Sequence, residues 1–540
     1  MGIYLNPGNN AFLKAVHSQI YVDKTGLISY TNNILGTKQS NICVSRPRRF
    51  GKSMAVDMLV AYYSRGCDSR EIFSEFVIAK DPEFEKHLNK HNVIFLYMQR
   101  FLSRADGAKN LVSYLEKTVL KELKQVFGMH FEPEETHLSS ALEQIYNCTG
   151  MGFVFIIDEW DCIFREKQHD MEAQTKYLDF LRDLLKDQLY VDLAYITGIL
   201  PIKKYGTHSA SNMFEECSMT NPKRTSEYVG FTEKEVKNLC KEYHMDFNEA
   251  KRWYDGYKFK RIQHVYNPKS VIDAMQEREF QSYWISTETY EALKIYIDMN
   301  FDGLKDAVVV MLAGGRCVID TGSFQNDMTT FKSKDDVLTL LVHLGYLAYD
   351  GQTREVFIPN EEVRGEFVRS IKNGGWDKLA NAIEKSEKLL ESTLQQDADT
   401  VARGIDEVHM ETTSILSYNN ENSLSCVMSL AYYSARKDYV VVREFPTGKG
   451  FADLVFLPRR HADKAVILVE MKWDKSAKGA IAQIKDKQYI SALKDYAGEL
   501  LLVGINYDRE TKLHQCEIEK INYKNKEKDT SPEKNQGMEV

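Results

Sequence analysis

The chain has 540 residues, of which 43% are hydrophobic and 27% are charged, and its formal net charge is −8. This length predicts about three or four domains, and the composition is that of an ordinary globular protein. The negative net charge argues against a protein coated for non-specific nucleic-acid binding, although it does not exclude a local basic groove.

Nine cysteines are scattered along the chain without a C-x-x-C pair. This spacing favours a reducing compartment over a disulfide framework or a zinc site. The first ten residues lack the basic-then-apolar pattern of a signal peptide, and no apolar run approaches the ~20 residues of a membrane span. The sequence therefore predicts a cytoplasmic protein that does not enter a membrane.

A strand pattern, a turn and a helix pattern follow one another between residues 41 and 62. The apolar run 42–44 predicts a buried strand, and apolar residues at helical spacing along 54–62 predict a helix. Gly51, Lys52 and Ser53 lie between them, which is the context that a phosphate-binding loop requires. We expect Lys52 to reach the terminal phosphates, Ser53 to ligate magnesium, and the N–H groups at the helix start to bind anions.

The loop departs from the general pattern G-x-x-x-x-G-K-[ST], because Arg46 stands where the first glycine belongs. Glycine allows a positive φ and close approach of the backbone, so its loss matters. Taken alone, the loop leaves a phosphate-binding role and a chance Gly-Lys-Ser equally open.

A second pattern favours the phosphate-binding role. Residues 153–158 form an unbroken apolar run that ends in Asp158 and Glu159. Such a run predicts a parallel strand buried on both faces, and acids at its carboxyl end lie where open α/β sheets bind ligands. We expect Asp158 to hold the magnesium shell and Glu159 to polarise the attacking water, the alternative being a solvated strand end. Together the two stretches predict a nucleotide hydrolase.

The run 191–198 predicts one more strand, and strands alternate with helices over about 230 residues, as in a doubly wound parallel sheet. Thr197 at the end of that run is either a sensor of the γ-phosphate or an ordinary turn residue. The residues predicted to contact the nucleotide are Arg46, Arg48, Arg49, Phe50, Gly51, Lys52, Ser53, Met54, Asp158 and Thr197.

The character of the sequence changes near residue 226. Thr232 and Glu235 form a capping-box pattern at a helix start. Aromatic residues cluster at 253–257, 266 and 283–284, interleaved with the basic residues Lys251, Arg252, Lys258, Lys260 and Arg261. Packing of a small helical lobe explains the aromatic residues better than base stacking does, although both remain open.

The second chemical pattern lies between residues 421 and 516. Strand-like runs at 439–445, 451–457 and 465–472 precede a helical stretch at 476–494 and a strand at 500–503. Glu470 and Lys472 are two residues apart and leave the same face of one strand, and Asp453 lies on the neighbouring strand. Two carboxylates form a hard oxygen site for Mg²⁺ or Mn²⁺, beside which Lys472 would hold the attacking water. Charged residues at a solvated strand end are the alternative, which Gln483 and Lys487 on the following helix make less attractive.

With both patterns in view, the chain resembles the bacterial AAA-ATPase-like proteins that carry a PD-(D/E)XK nuclease-superfamily domain at the carboxyl end. The segments that match the family motifs, in order, are 21–25 (YVDKT), 46–53 (RPRRFGKS), 157–159 (IDE), 197–198 (TG), 253–257 (WYDGY) and 266–268 (YNP). In that family the phosphate loop itself begins with arginine, so Arg46 follows the family pattern.

The resemblance implies an α/β fold: a P-loop NTPase parallel sheet, a helical middle region and a restriction-endonuclease-like α/β domain. The implied domains are an ATPase-like domain at 1–225, a helical lid and connector at 226–405, a nuclease-like domain at 406–523 and a disordered tail at 524–540. Carried over by position, the nuclease acids are Asp453 and Glu470, the lysine is Lys472, and Glu421 is a helix acid at the metal. Many relatives have arginine before the motif aspartate and phenylalanine before the lysine, where this chain has Ala452 and Met471.

The leading hypothesis is a nuclease regulated by ATP, with ATP and Mg²⁺ as cofactors, Mn²⁺ as an alternative metal, and nucleic acid, DNA rather than RNA, as partner. Roles in defence against foreign DNA or in mobile elements are implied by the resemblance alone. The alternatives are an ATP-dependent signalling switch whose nuclease-like domain only binds nucleic acid or a protein, and an ATPase motor without nuclease chemistry. An oligomer remains open, since Arg48 and Arg49 would serve phosphates in the same chain or in a neighbour.

Overall fold

In the computed structural model, two compact units make up the chain. The first comprises Met1–Leu304 and Arg316–Phe367, and the second comprises Lys305–Gly315 and Val368–Val540. The structure describes residues 2–202, 213–284, 289–299, 301–372, 376–412, 421–446, 450–459, 464–487, 493 and 499–522. The predicted tail at 524–540 lies outside the described residues.

The first unit is built on a five-stranded parallel sheet in the order β2-β3-β4-β1-β5. Its strands are β1 (Asn41–Ser45), β2 (Asn92–Tyr97), β3 (Phe153–Asp158), β4 (Val191–Gly198) and β5 (Glu215–Cys217). Every residue of β3 is buried, as its unbroken apolar run predicts. Because β4 lies between β1 and β3, the carboxyl ends of the loop strand and the acid-tipped strand flank that of β4. The predicted parallel sheet is confirmed.

Ten helices precede β5 within the described residues: α1 (Asn10–Val16), α2 (Gly26–Ile34), α3 (Lys52–Tyr63), α4 (Arg70–Phe73), α5 (Phe84–His87), α6 (Met98–Arg104), α7 (Leu111–Phe127), α8 (Leu138–Thr149), α9 (Cys162–Glu166) and α10 (Met171–Leu185). Residues 128–137 separate α7 from α8. Gly128 and Pro133 lie in the break, and both residue types interrupt helices.

The remainder of the first unit contains helices and short strands. They are β6 (Phe231–Thr232), α11 (Glu233–Tyr243), α12 (Phe247–Tyr254), β7 (Val265–Tyr266), α13 (Pro268–Glu277), α14 (Thr289–Ile297), α15 (Leu304–Leu312), β8 (Cys317–Val318), α16 (Lys334–Leu344), β9 (Ala348–Asp350), β10 (Glu355–Phe357) and α17 (Glu361–Lys372). Helices α15 and α17 run across the boundaries of the two units. The expected mostly helical region therefore also holds a three-stranded antiparallel sheet, β8-β10-β9.

Residues 226–284 contain the predicted capping box and the predicted aromatic cluster. Thr232 and Glu235 form the capping box at the start of α11, as predicted. Tyr254 and Tyr266 are fully buried in one core cluster with residues of α11 and α13. Aromatic packing of the lobe therefore accounts for these two rings.

The second unit pairs helices with a five-stranded mixed sheet. Its elements are α18 (Asp377–Leu394), α19 (Ala398–Thr412), α20 (Glu421–Ala431), β11 (Tyr439–Pro446), β12 (Phe451–Pro458), β13 (Val466–Trp473), α21 (Ala477–Asp486), β14 (Glu499–Asp508) and β15 (Leu513–Asn522). The strand order is β11-β12-β13-β14-β15, in which only β13 and β14 run parallel, with α21 between them in sequence. The predicted fold class is confirmed, and β15 is an additional strand. Among the helices of the described residues, none is both long and apolar enough to cross a membrane.

Candidate functional site

The phosphate-loop candidate occupies the turn between β1 and α3. Gly51 caps the helix in the left-handed region, with φ 91°, and Arg49 also has a positive φ of 70°. A Cβ built on Gly51 meets nothing within 4 Å, so the position needs glycine for its backbone angle and not for space. The first N–H groups of α3 remain without helical partners, which makes this end an anion site.

Lys52, the first residue of α3, is folded onto the loop. Its Nζ donates to the carbonyl oxygens of Arg46 at 2.9 Å and Pro47 at 2.8 Å. Burial lowers the pKa of Lys52 to about 8, an effect that the nearby acids Asp158 and Asp161 oppose. A phosphate group would replace these two carbonyls as the partner of the ammonium.

Asp158, at the end of β3, is hydrogen-bonded to the start of α3 and to the end of β4. Its Oδ2 accepts a hydrogen bond of 2.8 Å from the hydroxyl of Ser53 at the start of α3. Its Oδ1 accepts hydrogen bonds from the hydroxyl of Thr197, at the end of β4, and from the N–H of Glu159. The hydroxyl and carboxylate oxygens at this edge are the hard ligands that Mg²⁺ prefers, so these residues fit a magnesium nucleotide.

Glu159 follows the strand with a positive φ of 55°. Its carboxylate lies 3.3 Å from Arg165 of α9, and the same guanidinium lies 3.2 Å from Asp161. Asp161 in turn accepts hydrogen bonds from the N–H groups of Ile199 and Leu200 just after β4. The predicted water-polarising carboxylate is thus held in place by an ion-pair network at the same sheet edge.

The remaining predicted loop residues point in different directions. Arg46 is fully buried, and its guanidinium donates to the carbonyl oxygens of Ser45 at 2.9 Å and Cys217 at 2.8 Å. Arg49 donates to the carbonyl oxygen of Tyr283 at 2.6 Å, while Arg48 is exposed. The side chain of Arg46 therefore ties the loop to the sheet edge and does not face the anion site.

Phe50 and Met54 flank an apolar pocket beside Gly51. Phe50 is fully buried against the ring of Tyr257, and Met54 is 38% exposed. The pocket measures about 60 Å³, and its other walls include Ile20 and Tyr228. It lies next to the loop, and sequence reasoning did not predict it because its walls come from segments about 200 residues apart.

Asp23 and Lys24 belong to the segment 21–25 that matches a family motif. Asp23 accepts hydrogen bonds from the N–H groups of Thr25 at 2.8 Å and Val77 at 2.9 Å. Lys24 pairs with Glu235 at 2.7 Å. Both side chains are engaged within the protein.

The second candidate site lies in the second unit, where β12 and β13 separate. The last paired residues of the two strands are Leu454 and Val469. The next residue on each strand is Asp453 and Glu470, and the antiparallel register places these two opposite each other. The Oδ2 of Asp453 accepts a hydrogen bond of 2.7 Å from the N–H of Met471. The structure therefore brings the two predicted carboxylates together and fixes the peptide that precedes Lys472.

Glu470 is the centre of this site. It is 2% exposed, and its Oε1 accepts hydrogen bonds from Lys472 at 2.9 Å and from Gln483 of α21. Burial and the charge of Asp453 raise the pKa of Glu470, while Lys472 acts in the opposite direction. Its second oxygen, Oε2, is buried and has no hydrogen-bond partner among the described residues.

The unpaired Oε2 of Glu470 indicates whether these residues fit a divalent metal ion. A buried carboxylate oxygen without a partner is costly unless a ligand satisfies it. Two converging carboxylates supply the oxygen ligands that Mg²⁺ or Mn²⁺ requires, so the residues fit such an ion. Among the described residues no group of three or more His, Cys, Asp or Glu side chains forms a metal cluster. The predicted third acid, Glu421, is the first residue of α20, but its side chain lies outside the described residues.

A cavity of about 280 Å³ opens over these carboxylates. Its walls include Asp453, Glu470, Lys472, Gln483 and Arg443. Arg443 comes from β11, where it pairs in register with Leu454, next to Asp453. Sequence reasoning missed Arg443, because nothing in the run Val440-Val-Val-Arg-Glu distinguishes it from any charged strand residue. It places a guanidinium in the same cavity as the carboxylates although the chain lacks the arginine that relatives carry before the aspartate.

Comparisons with known proteins assign the two candidate sites to two different families. Residues 12–208 match the family described as predicted AAA-ATPase, and residues 419–517 match the PD-(D/E)XK nuclease superfamily. An uncharacterized protein in the vnfD 5' region of Azotobacter chroococcum mcd 1 is 26% identical over 280 residues, which are 50% of this chain and 51% of that protein. The chain thus spans about half the length of the curated relative that it matches.

Two solved structures are also similar to parts of the chain. The Walker-type ATPase paby2304 of Pyrococcus abyssi is 11% identical with a TM-score of 0.31, covering 64% of this chain and 94% of its own. The ORC2 protein of Aeropyrum pernix, in ADPNP–ADP complexes, is 11% identical with a TM-score of 0.30, covering 68% of this chain and 98% of its own.

Proposed function

We propose that this chain, which joins a predicted AAA-ATPase domain to a domain of the PD-(D/E)XK nuclease superfamily, hydrolyses ATP in the first and cleaves nucleic-acid phosphodiesters in the second. The observation that carries the nuclease assignment is the opposed pair Asp453 and Glu470, with Lys472 on the same carboxylate and an unpartnered Glu470 oxygen in an open cavity. A buried carboxylate oxygen that lacks a partner is costly, and a bound divalent ion would satisfy it.

Each residue of the second site has a role in this proposal. Asp453 and Glu470 would hold a divalent ion, and this ion, when bound, would supply Lewis-acid chemistry at the scissile phosphate. Lys472, oriented by its hydrogen bond to Glu470, holds the attacking water against the scissile phosphate. Gln483 fixes the rotamer of Glu470, and Arg443 contacts a neighbouring phosphate in the cavity.

In the first domain, the proposal assigns the start of α3 and Lys52 to the phosphates of ATP. Ser53 and Asp158 hold the magnesium ion, and Glu159 orients the water that attacks the γ-phosphate, beside Thr197. The hydrogen-bond networks that join Ser53, Thr197 and Asp158, and Glu159 to Arg165, support these assignments.

The experiment that tests the nuclease incubates the full chain with single-stranded DNA, double-stranded DNA and RNA, each with Mg²⁺, Mn²⁺ or EDTA, with and without ATP. We expect metal-dependent cleavage, DNA being the favoured substrate, and its loss in Asp453→Asn. Glu510→Gln is the matched control, since Glu510 is an exposed carboxylate on the turn after β14 of the same sheet. Cleavage by Asp453→Asn at the wild-type rate would remove the nuclease assignment.

The same experiment separates the alternative. A chain that binds nucleic acid with unchanged affinity but cleaves none of the substrates with either metal is the ATP-dependent switch, with a nuclease fold used for binding alone. Failure of ATP to change either cleavage or binding would remove the proposed regulation by ATP.

The ATPase half is tested by Lys52→Ala with isothermal titration calorimetry. We expect ATP affinity to fall by on the order of a hundredfold, because the ammonium makes charge-assisted contacts with phosphate. Lys38→Ala removes an exposed lysine from the same domain and should leave the affinity unchanged. Equal affinities in the two variants would contradict the assignment of the loop.

A further inference from the structure

A second, larger cavity lies in the first unit, between residues 215–226, the hairpin 258–263 and residues 349–352. Its volume is about 760 Å³, within the range of sites that enclose a ligand of several hundred daltons. It shares no lining residue with the nucleotide site or the pocket beside Gly51. Five of its lining residues are basic and two are acidic, whereas the whole chain carries a net charge of −8.

Ion pairs leave a positive surplus in this cavity. Asp350 pairs with Lys258 and lies 3.7 Å from Arg316, and Glu215 lies 3.7 Å from Lys223. Both acids of the lining are therefore compensated. The other three basic lining residues are Arg224, Lys260 and Arg261, which are exposed and form no ion pair within the part of the chain that the structure describes.

The backbone holds two of these three cations at one point. Phe259 and Ile262 exchange backbone hydrogen bonds of 2.8 and 3.1 Å, which makes Lys260 and Arg261 the two residues of a tight hairpin turn. The bridge between Tyr257 and Val265 continues the hairpin. A rigid turn presents its charges with little loss of backbone entropy when a ligand binds.

Both walls of the cavity are anchored on one buried guanidinium. Arg46 lies over the ring of Phe259 at 5.0 Å, beneath the hairpin tip. It also donates to the hydroxyl of Thr225, next to Arg224, at 3.3 Å. The residue that replaces the first glycine of the phosphate loop therefore supports the two segments that carry the unpaired cations.

We infer that the basic cavity formed by Arg224, Lys260 and Arg261 binds successive phosphates of a nucleic-acid strand, so that the ATPase unit itself contacts the strand. This inference rests on the proposed nucleic-acid substrate and deepens it. Cations on two separate walls of a cavity this large match a chain of phosphates better than a single phosphate group. Phe259 is 2% exposed and covered by Arg46, so its ring is not available to stack on a base, and the cations of the cavity face the phosphates.

The test measures binding of a fluorescein-labelled single-stranded DNA by fluorescence anisotropy, at several salt concentrations, with the full chain carrying Asp453→Asn. In that background, the triple variant Arg224→Ala, Lys260→Ala, Arg261→Ala is compared with Lys80→Ala, Lys117→Ala, Lys121→Ala. The control removes three exposed lysines of the same unit and the same charge. Equal melting temperatures establish that both variants are folded, and Lys260→Glu replaces the triple variant if it unfolds.

We expect the cavity variant to bind on the order of tenfold more weakly than the control. Its slope of log K against log salt should be smaller by about 2, because each lost phosphate contact on a single strand contributes about 0.7. Equal affinity and slope in the two variants would overturn the inference and leave the cleavage assignment intact. Displacement of the DNA by inorganic tripolyphosphate at the same phosphate concentration would also overturn it. Weakened binding in a chain whose wild type cleaves nothing would support the cavity and reject the nuclease.

Discussion

The two candidate sites differ in how their polar groups are satisfied. At the nucleotide site, Lys52 donates to two loop carbonyls, and Asp158 accepts from Ser53 and Thr197. At the proposed nuclease site, one oxygen of Glu470 is buried beside a cavity of about 280 Å³ and has no hydrogen-bond partner within the part of the chain that the structure describes. At the first site Lys52 and Asp158 must exchange internal hydrogen bonds for ligand contacts, whereas at the second site a bound cation would satisfy the remaining oxygen of Glu470.

The two sites therefore differ in how much they destabilise the folded protein when no ligand is bound. A hydrogen bond that is exchanged for another costs little, so the phosphate loop can hold a stable arrangement without a nucleotide. A buried carboxylate without its full set of partners destabilises the fold until a cation arrives. Variants that neutralise one charge should therefore affect activity and stability in opposite ways at the nuclease site and in the same way at the loop.

The largest effect is expected for Glu470→Gln. Loss of one metal-binding carboxylate should reduce cleavage by on the order of a thousandfold. The amide removes a buried charge while it keeps the shape, so thermal stability without metal should be equal to or higher than that of the wild type. Cleavage assays and thermal denaturation of the full chain measure the two quantities.

Glu510→Gln, on the turn after β14, is the matched control and should change neither quantity. The same variants are also compared with and without added metal ion. Added Mn²⁺ should raise the melting temperature of the wild type and of Glu510→Gln but not that of Glu470→Gln. A metal-induced shift of equal size in Glu470→Gln would contradict the fit of the site to a cation.

The next effect concerns the closed site and contrasts two arginines of one loop. Arg46→Ala removes a buried guanidinium and leaves the carbonyl oxygen of Cys217 without its donor. We expect a loss of about 3 kcal/mol in the free energy of unfolding, because breaking a buried, hydrogen-bonded charge leaves its partners unsatisfied. Arg48→Ala, at an exposed position two residues later, should change the free energy by less than about 0.5 kcal/mol.

Urea denaturation followed by tryptophan fluorescence measures this pair, since Trp160 is buried beside the same sheet edge. Similar destabilisation by both variants would mean that the loop as a whole, and not the buried guanidinium, supports the edge strand β5. A larger ATP-affinity loss in Arg48→Ala than in Arg46→Ala would agree with the outward direction of Arg48.

Local patterns in the sequence were sufficient to predict the strands and the helix start that carry the main residues of both sites. The apolar run before Asp158, the Gly-Lys-Ser at a helix start and the spacing of Glu470 and Lys472 each predict an element and a face from neighbouring residues alone. The opposed position of Asp453 follows from the same reasoning, since β12 and β13 are consecutive and antiparallel.

What the sequence could not predict depends on distant partners. Arg46 contacts Cys217 and Thr225, which are more than 170 residues away. Cys217 lies in a strand of three residues without an apolar run, and Thr225 lies beyond the end of that strand. Arg443 reaches its cavity only because the register places it opposite Leu454. A charged residue carries no local signal of such a role, because its partners are fixed by tertiary packing.

The smallest effect is expected at Glu362, a buried carboxylate of the first unit that, unlike Glu470, has a donor for each oxygen. Its two oxygens accept from Ser270 and from the N–H of Tyr283, each at 2.9 Å. Burial raises its pKa from 4.5 to about 7, so the folded state holds the proton more tightly than the unfolded state. The stability of the wild type should therefore be highest where Glu362 is protonated and should fall as the pH rises from about 4.5 to about 7.

Glu362→Gln should remove roughly 2 kcal/mol of this pH dependence, because the amide does not titrate. Urea denaturation at pH 5 and pH 8 measures the difference. Glu361→Gln, at the neighbouring and partly exposed carboxylate, is the control and should keep the pH dependence of the wild type. Identical pH dependence in the two variants would show that full pairing abolishes the cost of burial at Glu362, and would confine that cost to carboxylates with an empty oxygen, such as Glu470.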